Sequence, residues 1–290
     1  MPEPLRQVTT HRLSSLYVVA TPIGNLGDMT PRAVEILHKV DLIAAEDTRH
    51  SKKLLNHFDI KTPLVAYHDF SGEDETGKIL DKLQQGKDVA LISDAGTPLV
   101  SDPGYTLVKA AHQLGVKVVP VPGACASIAA LSAAGLPSDR FLFIGFLPSK
   151  PNARRQQLEG LARESATMVL YEAPHRLAAC LECLLAVFGE ERKIVLAREL
   201  TKTFETVIST TIKDLLAFVE ADLNQKKGEV VLVVHGYETD ALPEINEESV
   251  RILDILAQEL PLTQAAALTA KITGLKKRAL YQFALDRKSS

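Results

Sequence analysis

Two α/β domains and a small helical tail are what this sequence predicts, and three patterns carry that prediction. Short, almost wholly apolar runs alternate with helical stretches over residues 16–235. Such alternation implies strands covered on both faces, hence a parallel sheet in the N-terminal half. In the C-terminal half the strand-like TFETVIST (203–210) follows another strand closely, so that sheet is expected to be mixed. Finally, the polar, proline-containing GYETDALPEINEE (236–248) separates this body from a basic, alanine-rich end.

In the first domain the expected strands are LYVVA (16–20), LIAA (42–45), DVALIS (88–93) and KVVPV (117–121). Helices are expected near 31–39, 48–57, 72–85 and 103–114. The first has the strongest start signal: Thr30 can cap it, and Pro31 costs nothing at a position whose N–H has no intrahelical partner. The second domain should carry strands near 141–146, 167–171, 193–197, 204–209 and 229–235, with helices near 151–164, 175–188 and 212–221. The expected division is 14–122, 123–236, a linker at 237–247 and a tail at 248–290.

The 290 residues are 46% hydrophobic and 24% charged, as an ordinary globular chain with a sizeable core requires. A net charge of −3 supplies no global basic field, so any nucleic-acid partner must be held by a local patch. No apolar run approaches the roughly 18 residues that span a bilayer, and the first one is too short for a leader. A cytoplasmic protein without membrane contact is expected. Cys125, Cys180 and Cys183 are too few and too unevenly placed for a disulfide framework. Cys180 and Cys183 form a C-x-x-C, but with no second pair nearby they read as small residues packing in a helix. No His/Cys/Asp cluster has metal spacing, so metal-independent chemistry is expected.

Three loops leave strands at one sheet edge. ATPIGNLGD (20–28) lacks the G-x-G-x-x-G spacing of a dinucleotide fingerprint and the G-K-[ST] of a P-loop. LISDAGTPLVSDPGYTLV (91–108) leaves a strand through Asp94, Ala95, Gly96, Thr97 and Pro98, then meets Asp102-Pro103-Gly104. VPVPGACASIAALSAAGLP (119–137) reads as a third loop, with Gly123, Ala124, Ala126 and Ser127 suited to packing on a purine. Ligands of open parallel sheets sit beyond the carboxyl ends of the strands. Small residues there, with no phosphate-binding lysine, describe a nucleoside site, and S-adenosylmethionine fits it.

At these motifs the chain resembles a known family. ATPIGNLGDMTPRA, EDTRHS, SDAGTPLVSDPG and VPGACASIAAL, followed in order by YEAPHRL, ARELTKTFET and GEVVLVV, are similar to the ribosomal RNA small-subunit methyltransferase I family. That family lies in the tetrapyrrole-methylase-like group of S-adenosylmethionine enzymes, and the resemblance covers residues 14–236 and the tail. It implies two α/β domains of the tetrapyrrole methylase type with the donor in the cleft between them. It also implies methylation of a cytidine ribose 2′-hydroxyl in small-subunit rRNA, free or in the assembled subunit, by a homodimer. Porphyrinogen-methylating relatives carry G-D-P where this chain has Gly96-Thr97-Pro98, which argues against a tetrapyrrole substrate. Carried over motif by motif, the donor site comprises Ile23 and Gly24, then Asp94, Ala95, Gly96, Thr97 and Val100, then Cys125 and Ala126. The other domain contributes Tyr171, Glu172, Leu200, Thr201, Gly228 and Glu229.

Methyl transfer from a sulfonium is an in-line displacement whose leaving thioether needs no acid. Positioning can supply up to about 7–11 kcal/mol, and a base adds on the order of 10²–10⁴-fold. AAEDTRHSKK (44–53) follows a strand and opens a helix, so Glu46, Asp47 and Arg49 should reach the same sheet edge. Glu46 or Asp47 is then a base or ribose anchor and Arg49 a phosphate clamp; the other reading makes Asp47 a helix cap. Lys202 beside a carboxylate either stabilises a developing alkoxide or forms a surface salt bridge. His175 and Arg176 are solvated or face RNA, and His68 is structural or RNA-facing.

The tail, LDILAQELPLTQAAALTAKITGLKKRALYQFAL (253–285), reads as a short helix followed by a helix-turn-helix with Gly274 in the turn. Lys271, Lys276, Lys277 and Arg278 cluster there as candidate RNA contacts, the alternative being a helical cap with a solvated basic face. Two rivals remain to the rRNA reading: a small-molecule, tetrapyrrole-like methyltransferase, and a non-catalytic ribosome-binding factor.

Overall fold

The computed structural model describes residues 14–68, 73–238 and 245–289. The chain divides into two compact units, one ending at Gly236 and the other beginning at Tyr237. The first holds both sheets.

Its N-terminal part runs β1 (Ser15–Val19), α1 (Pro31–Lys39), β2 (Leu42–Ala45), α2 (Thr48–His57), β3 (Leu64–Ala66), α3 (Glu73–Gln84), β4 (Val89–Ile92), α4 (Tyr105–Gln113) and β5 (Lys117–Val121). Every pairing is parallel, in the order β3-β2-β4-β1-β5. Because side chains alternate across a strand, Ile43, Ala45, Ala90 and Ile92 pack on one face with Leu37 and Leu55. Ala44, Val89 and Leu91 pack on the other with Leu83 and Leu107. The caps follow the sequence: Thr30 Oγ1 accepts the Ala33 N–H at 3.2 Å, and Asp47 Oδ1 accepts the Arg49 N–H at 2.7 Å.

The second sheet follows through α5 (Ala126–Ala134), β6 (Phe141–Phe146), α6 (Pro151–Leu161), β7 (Thr167–Glu172), α7 (Leu177–Phe188), β8 (Lys193–Arg198), β9 (Thr206–Thr211), α8 (Ile212–Ala221) and β10 (Val230–Val234). Its order is β6-β7-β10-β8-β9, with β6–β7 parallel and the other pairs antiparallel. The expected combination of one parallel and one mixed sheet is borne out. Met168, Leu170, Leu196 and Leu232 face α7 and α8, and Val169, Val195, Ala197 and Val233 face α5. Cys180 is buried in α7 among leucines, as the helix-packing reading of the C-x-x-C expects.

Several boundaries differ from the expectation. The third loop is shorter than read: Ala126–Ala134 is helical, with Ser127, Ala130, Leu131 and Ala134 buried on one side, which packs on the second sheet, and Ile128 exposed on the other. Strand β3 has only three residues and no periodic signature. Helix α4 starts at Tyr105 rather than 103, because Pro103 and a Gly104 at φ 135° shape the turn before it. Strand β9 begins at Thr206, two residues late, because Arg198 holds the preceding turn through Phe204 O at 3.5 Å and Thr206 Oγ1 at 3.4 Å.

The second unit contains α9 (Glu247–Glu259), α10 (Leu262–Thr273) and α11 (Lys277–Ser289). Leu253, Ala265, Ala266, Leu275 and Leu280 form its core, the alanines allowing close helix approach. Gly274 caps α10 at φ 75°. Residues 239–244, most of the expected linker, lie outside the described residues, as do Gly72 and Ser290.

Candidate active site

Adjacent strands β4, β1 and β5 deliver the three small-residue loops to one edge, and short contacts stitch them together. Thr21 and Gly96 exchange both backbone hydrogen bonds, at 2.8 and 3.0 Å. Thr97 Oγ1 donates to Ala124 O at 3.0 Å. Gly123 lies so close to β1 that a Cβ there would stand 2.9 Å from Ala20 Cβ. Opposite these loops stand the carboxyl ends of β7 and β8 and, since β10 runs antiparallel to both, the start of β10.

Between the two edges lies a cavity of about 350 Å³. The first sheet supplies Ile23, Ala95, Gly96, Thr97, Val100, Cys125 and Ala126 to its wall. The second supplies Tyr171, Glu172, Leu200, Gly228 and Glu229. Tyr171 sets the wall's geometry. Its hydroxyl accepts the Ser127 N–H at the start of α5 at 3.1 Å, and Phe143 and Phe146 meet its ring edge-on at 5.1 and 5.6 Å. Burial raises the Tyr171 pKa.

Other candidates lie outside this wall. Gly24 serves approach: the Lys202 stem crosses it where a Cβ would overlap. Lys202 Nζ pairs with Glu199 Oε1 at 2.8 Å and Glu229 Oε2 at 3.0 Å. Burial opposes its charge, but the two carboxylates outweigh that and raise its pKa. Thr201 N–H donates to Glu205 Oε2 at 2.6 Å. Asp94 Oδ1 accepts the Asp47 N–H at 3.0 Å, bracing the end of β4 against that of β2. Asp47 caps α2, and the Arg49 N–H is the main cause holding its carboxyl below the usual range. The Arg49 side chain is 91% exposed. Burial, then the Asp94 charge, raises the Glu46 pKa.

Glu172 lines the cavity, yet its carboxylate is fully buried. Oε1 accepts the Ala173 N–H at 2.8 Å and pairs with Arg176 Nε at 3.2 Å. Arg176 Nη2 in turn donates to Leu147 O at 2.7 Å, tying the ends of β6 and β7 together. His175 and Arg176 belong to a single 3-10 turn, and these contacts, with its side chain only 22% exposed, make Arg176 structural rather than solvated.

Sequence reading gave no role to Ser101, Asp102, Phe146, Ala173, Pro174, Ala197, Val230 and Val231, all of which line the cavity. The strand residues among them look like core in sequence. Asp102 stood in plain view in SDPG, but its inward position follows from the fold of the loop. Burial first, then the charges of Glu46 and Asp94, push its pKa up to about 6 against a hydrogen bond from Ser93. Backbone strain marks the same rims: Leu99, Ser101, Glu199 and Thr201 have φ of 72°, 66°, 52° and 66°. Non-glycine residues held there cost about 1–3 kcal/mol each and cluster at functional sites.

Among the described residues, the wall contains no lysine, arginine or histidine, while Asp102 and Glu229 bring carboxylates to it. The nearest cation, Lys202 at the rim, is already shared by Glu229 and Glu199, so a phosphate would meet no uncommitted cation there. An uncharged or cationic nucleoside finds apolar walls, backbone groups and negative charge, so these residues fit a sulfonium-bearing adenosine.

In the second unit Lys271, Lys276, Lys277 and Arg278 are exposed, and none has an acidic partner among the described residues.

Residues 15–216 match the family described as Tetrapyrrole (Corrin/Porphyrin) Methylases, and 243–288 match the RsmI C-terminal HTH domain. The fold agrees: the chain is similar to the solved uroporphyrin-III-C-methyltransferase from Thermus thermophilus, with a TM-score of 0.55 and 24% identity over 77% of this chain and 94% of that one. The chain is thus a methyltransferase of the tetrapyrrole methylase family. It is also 56% identical over 274 residues to the Ribosomal RNA small subunit methyltransferase I of Pseudomonas aeruginosa, covering 94% of this chain and 97% of the relative. To the protein of that name in Escherichia coli O157:H7 it is 53% identical over 272 residues, covering 94% and 95%. Within the tetrapyrrole methylases, the chain belongs to the ribosomal RNA small subunit methyltransferase I family, as its motifs suggest.

Proposed function

We propose that this protein uses S-adenosylmethionine to methylate the 2′-hydroxyl of a cytidine ribose in small-subunit rRNA. The observation that carries the donor assignment is the cation-free, carboxylate-bearing wall of the cavity between the two sheets. The rRNA assignment is supported by the relatives' names and by the exposed basic cluster of the tail. When bound, the donor supplies a methyl group on a sulfonium and leaves as a neutral thioether.

The chain's own residues do the rest by positioning. Ile23, Gly96, Thr97 and Ala126 flank the nucleoside with small side chains and backbone groups. Tyr171 holds α5 against the second sheet. Lys202, Glu199 and Glu229 lock one rim, and Arg49, exposed and paired at 3.5 Å with the half-exposed Asp47, supplies a cation for the RNA backbone. The acceptor nucleotide has to be splayed out for its ribose to enter. The enzyme acts in the cytoplasm, where small subunits reside, and as a homodimer. The exposed Phe141 and Leu142 on edge strand β6 support the dimer as an uncovered apolar edge.

The test is transfer of labelled methyl to isolated small subunits and to free rRNA, followed by nuclease digestion and mass mapping. A single methyl on a cytidine ribose is expected. Label on a base atom, or none in either substrate, contradicts the reading.

A further inference from the structure

Ribose methylation leaves one job unassigned, removal of the proton from the attacking hydroxyl. The wall of the cavity carries few groups able to take it, and most are committed elsewhere. Glu229 is paired with Lys202. Glu172 is paired with Arg176 and bonded to the Ala173 N–H. Tyr171 already accepts from the Ser127 N–H, and Cys125 Sγ lies 3.2 Å from the Ser127 hydroxyl. Of the two acids put forward by sequence, Asp47 caps α2, and neither it nor Glu46 reaches the wall.

Asp102 differs from all of these. It faces the cavity, has no ion-pair partner among the described residues, and interacts with the neutral hydroxyl of Ser93 rather than with a cation. The loop that presents it is constrained on both sides, by Leu99 and Ser101 at positive φ before it and by Pro103 and Gly104 after it. We propose that Asp102 is the general base that accepts the 2′-hydroxyl proton of the acceptor ribose, an assignment that rests on the ribose-methylation reading above. As the hydroxyl oxygen bonds the methyl carbon, the carbon–sulfur pair departs with sulfur and the proton passes to an Asp102 carboxylate oxygen. A carboxylate and a sulfonium thereby become a carboxylic acid and a thioether, and charge balances.

The surroundings suit that task. Facing Asp102 are Glu46 and Asp94 at the ends of β2 and β4, with His68 near Glu46, and Tyr171 across the cavity. The carboxylates disfavour a further negative charge, and burial adds to this, so the pKa rises from 3.8 to about 6. A base in that range is ionised at neutral pH yet far more basic than an ordinary aspartate, which favours proton transfer.

Single-turnover methyl transfer to small subunits, measured across acid to neutral pH, tests the proposal. The wild-type rate should rise with an apparent pKa near 6. Asp102→Asn should lose that limb and about 10²–10⁴-fold in rate, a loss far larger than any accompanying fall in calorimetric affinity for S-adenosylmethionine. Asp102→Glu should recover part of the rate and keep a limb. Infrared difference spectra should contain a protonated-carboxyl band titrating near pH 6 in the wild type and missing from Asp102→Asn. An asparagine variant that keeps the wild-type rate or limb overturns the assignment. So does one whose donor affinity falls in step with its rate, since Asp102 is then a counter-charge for the sulfonium. If the wild type itself places no methyl on ribose, the ribose reading fails and takes the base with it; an active wild type with an equally active asparagine variant sinks the base assignment alone.

Discussion

Replacing Lys202 by methionine removes a cation that two carboxylates share while keeping the stem that crosses Gly24. The Lys202 side chain is 26% exposed, Glu199 15% and Glu229 69%. Exposed pairs contribute about 0–1 kcal/mol, and breaking a buried one costs about 3–5 kcal/mol. The Glu229 half is screened by solvent, so the loss comes mainly from Glu199, and a cost of about 1–2 kcal/mol follows from these limits. At roughly 2–4 °C per kcal/mol for a body of this size, the melting temperature should fall by about 2–8 °C at neutral pH. The pH dependence has a definite sign. Burial would raise the Glu199 pKa, but the Lys202 ammonium and the Glu229 N–H outweigh it and hold the carboxyl below its ordinary 4.5. A group depressed in the folded state contributes stability above its unfolded pKa and loses it as pH falls through the folded one. Lys202, raised above 10.5, behaves oppositely, its contribution disappearing only on the alkaline side. The variant's deficit should therefore be flat from about pH 5 to 9 and shrink in acid. Scanning calorimetry of both proteins over that range is the assay. No deficit at neutral pH, or one that persists undiminished in acid, refutes the reasoning.

Three further outcomes follow from the same geometry. Gly24→Ala forces a Cβ into the Lys202 stem and should destabilise by about 1–3 kcal/mol; in a Lys202→Ala background the cost should fall by more than about 0.5 kcal/mol, and purely additive costs contradict the contact. Joint alanine replacement of Lys271, Lys276, Lys277 and Arg278 should weaken rRNA binding and reduce the slope of log affinity against log salt by roughly 3; an unchanged slope makes the tail a structural cap. Iodoacetamide should modify Cys125 on the cavity wall, with the donor protecting it, and leave Cys180 untouched, because burial raises that thiol's pKa and blocks access; rapid loss of Cys180 contradicts the packing.

The strands and most helices of the first unit were legible because their signals are local. Apolar runs such as VALI and LIAA, too short for helices and set between helical stretches, read as strands buried on both faces, and Thr30-Pro31 announces a helix start by its own chemistry. The three small-residue loops were legible for the same reason, since each follows such a strand. What the sequence hid is set by tertiary approach. Ala126–Ala134 looks like loop because small residues carry little periodic signal, and only packing on the second sheet buries one side of it as a helix. Gly24 reads as a ligand-facing glycine, but its space is filled by Lys202 from far along the chain. Glu172 reads as a polar cavity residue, whereas Arg176 one turn later holds it inside. Asp102 and Phe146 reach the cavity only once the loop and the edge strand have taken their places.

The central claim is that the wall between the two sheets selects a cationic nucleoside and rejects phosphate. Titration calorimetry of the intact protein with S-adenosylmethionine and, separately, with ATP tests it most directly. The account predicts saturable heat at one site per chain for the methyl donor and none for ATP. Tight ATP binding that displaces the donor, or no heat with the donor at all, would contradict it.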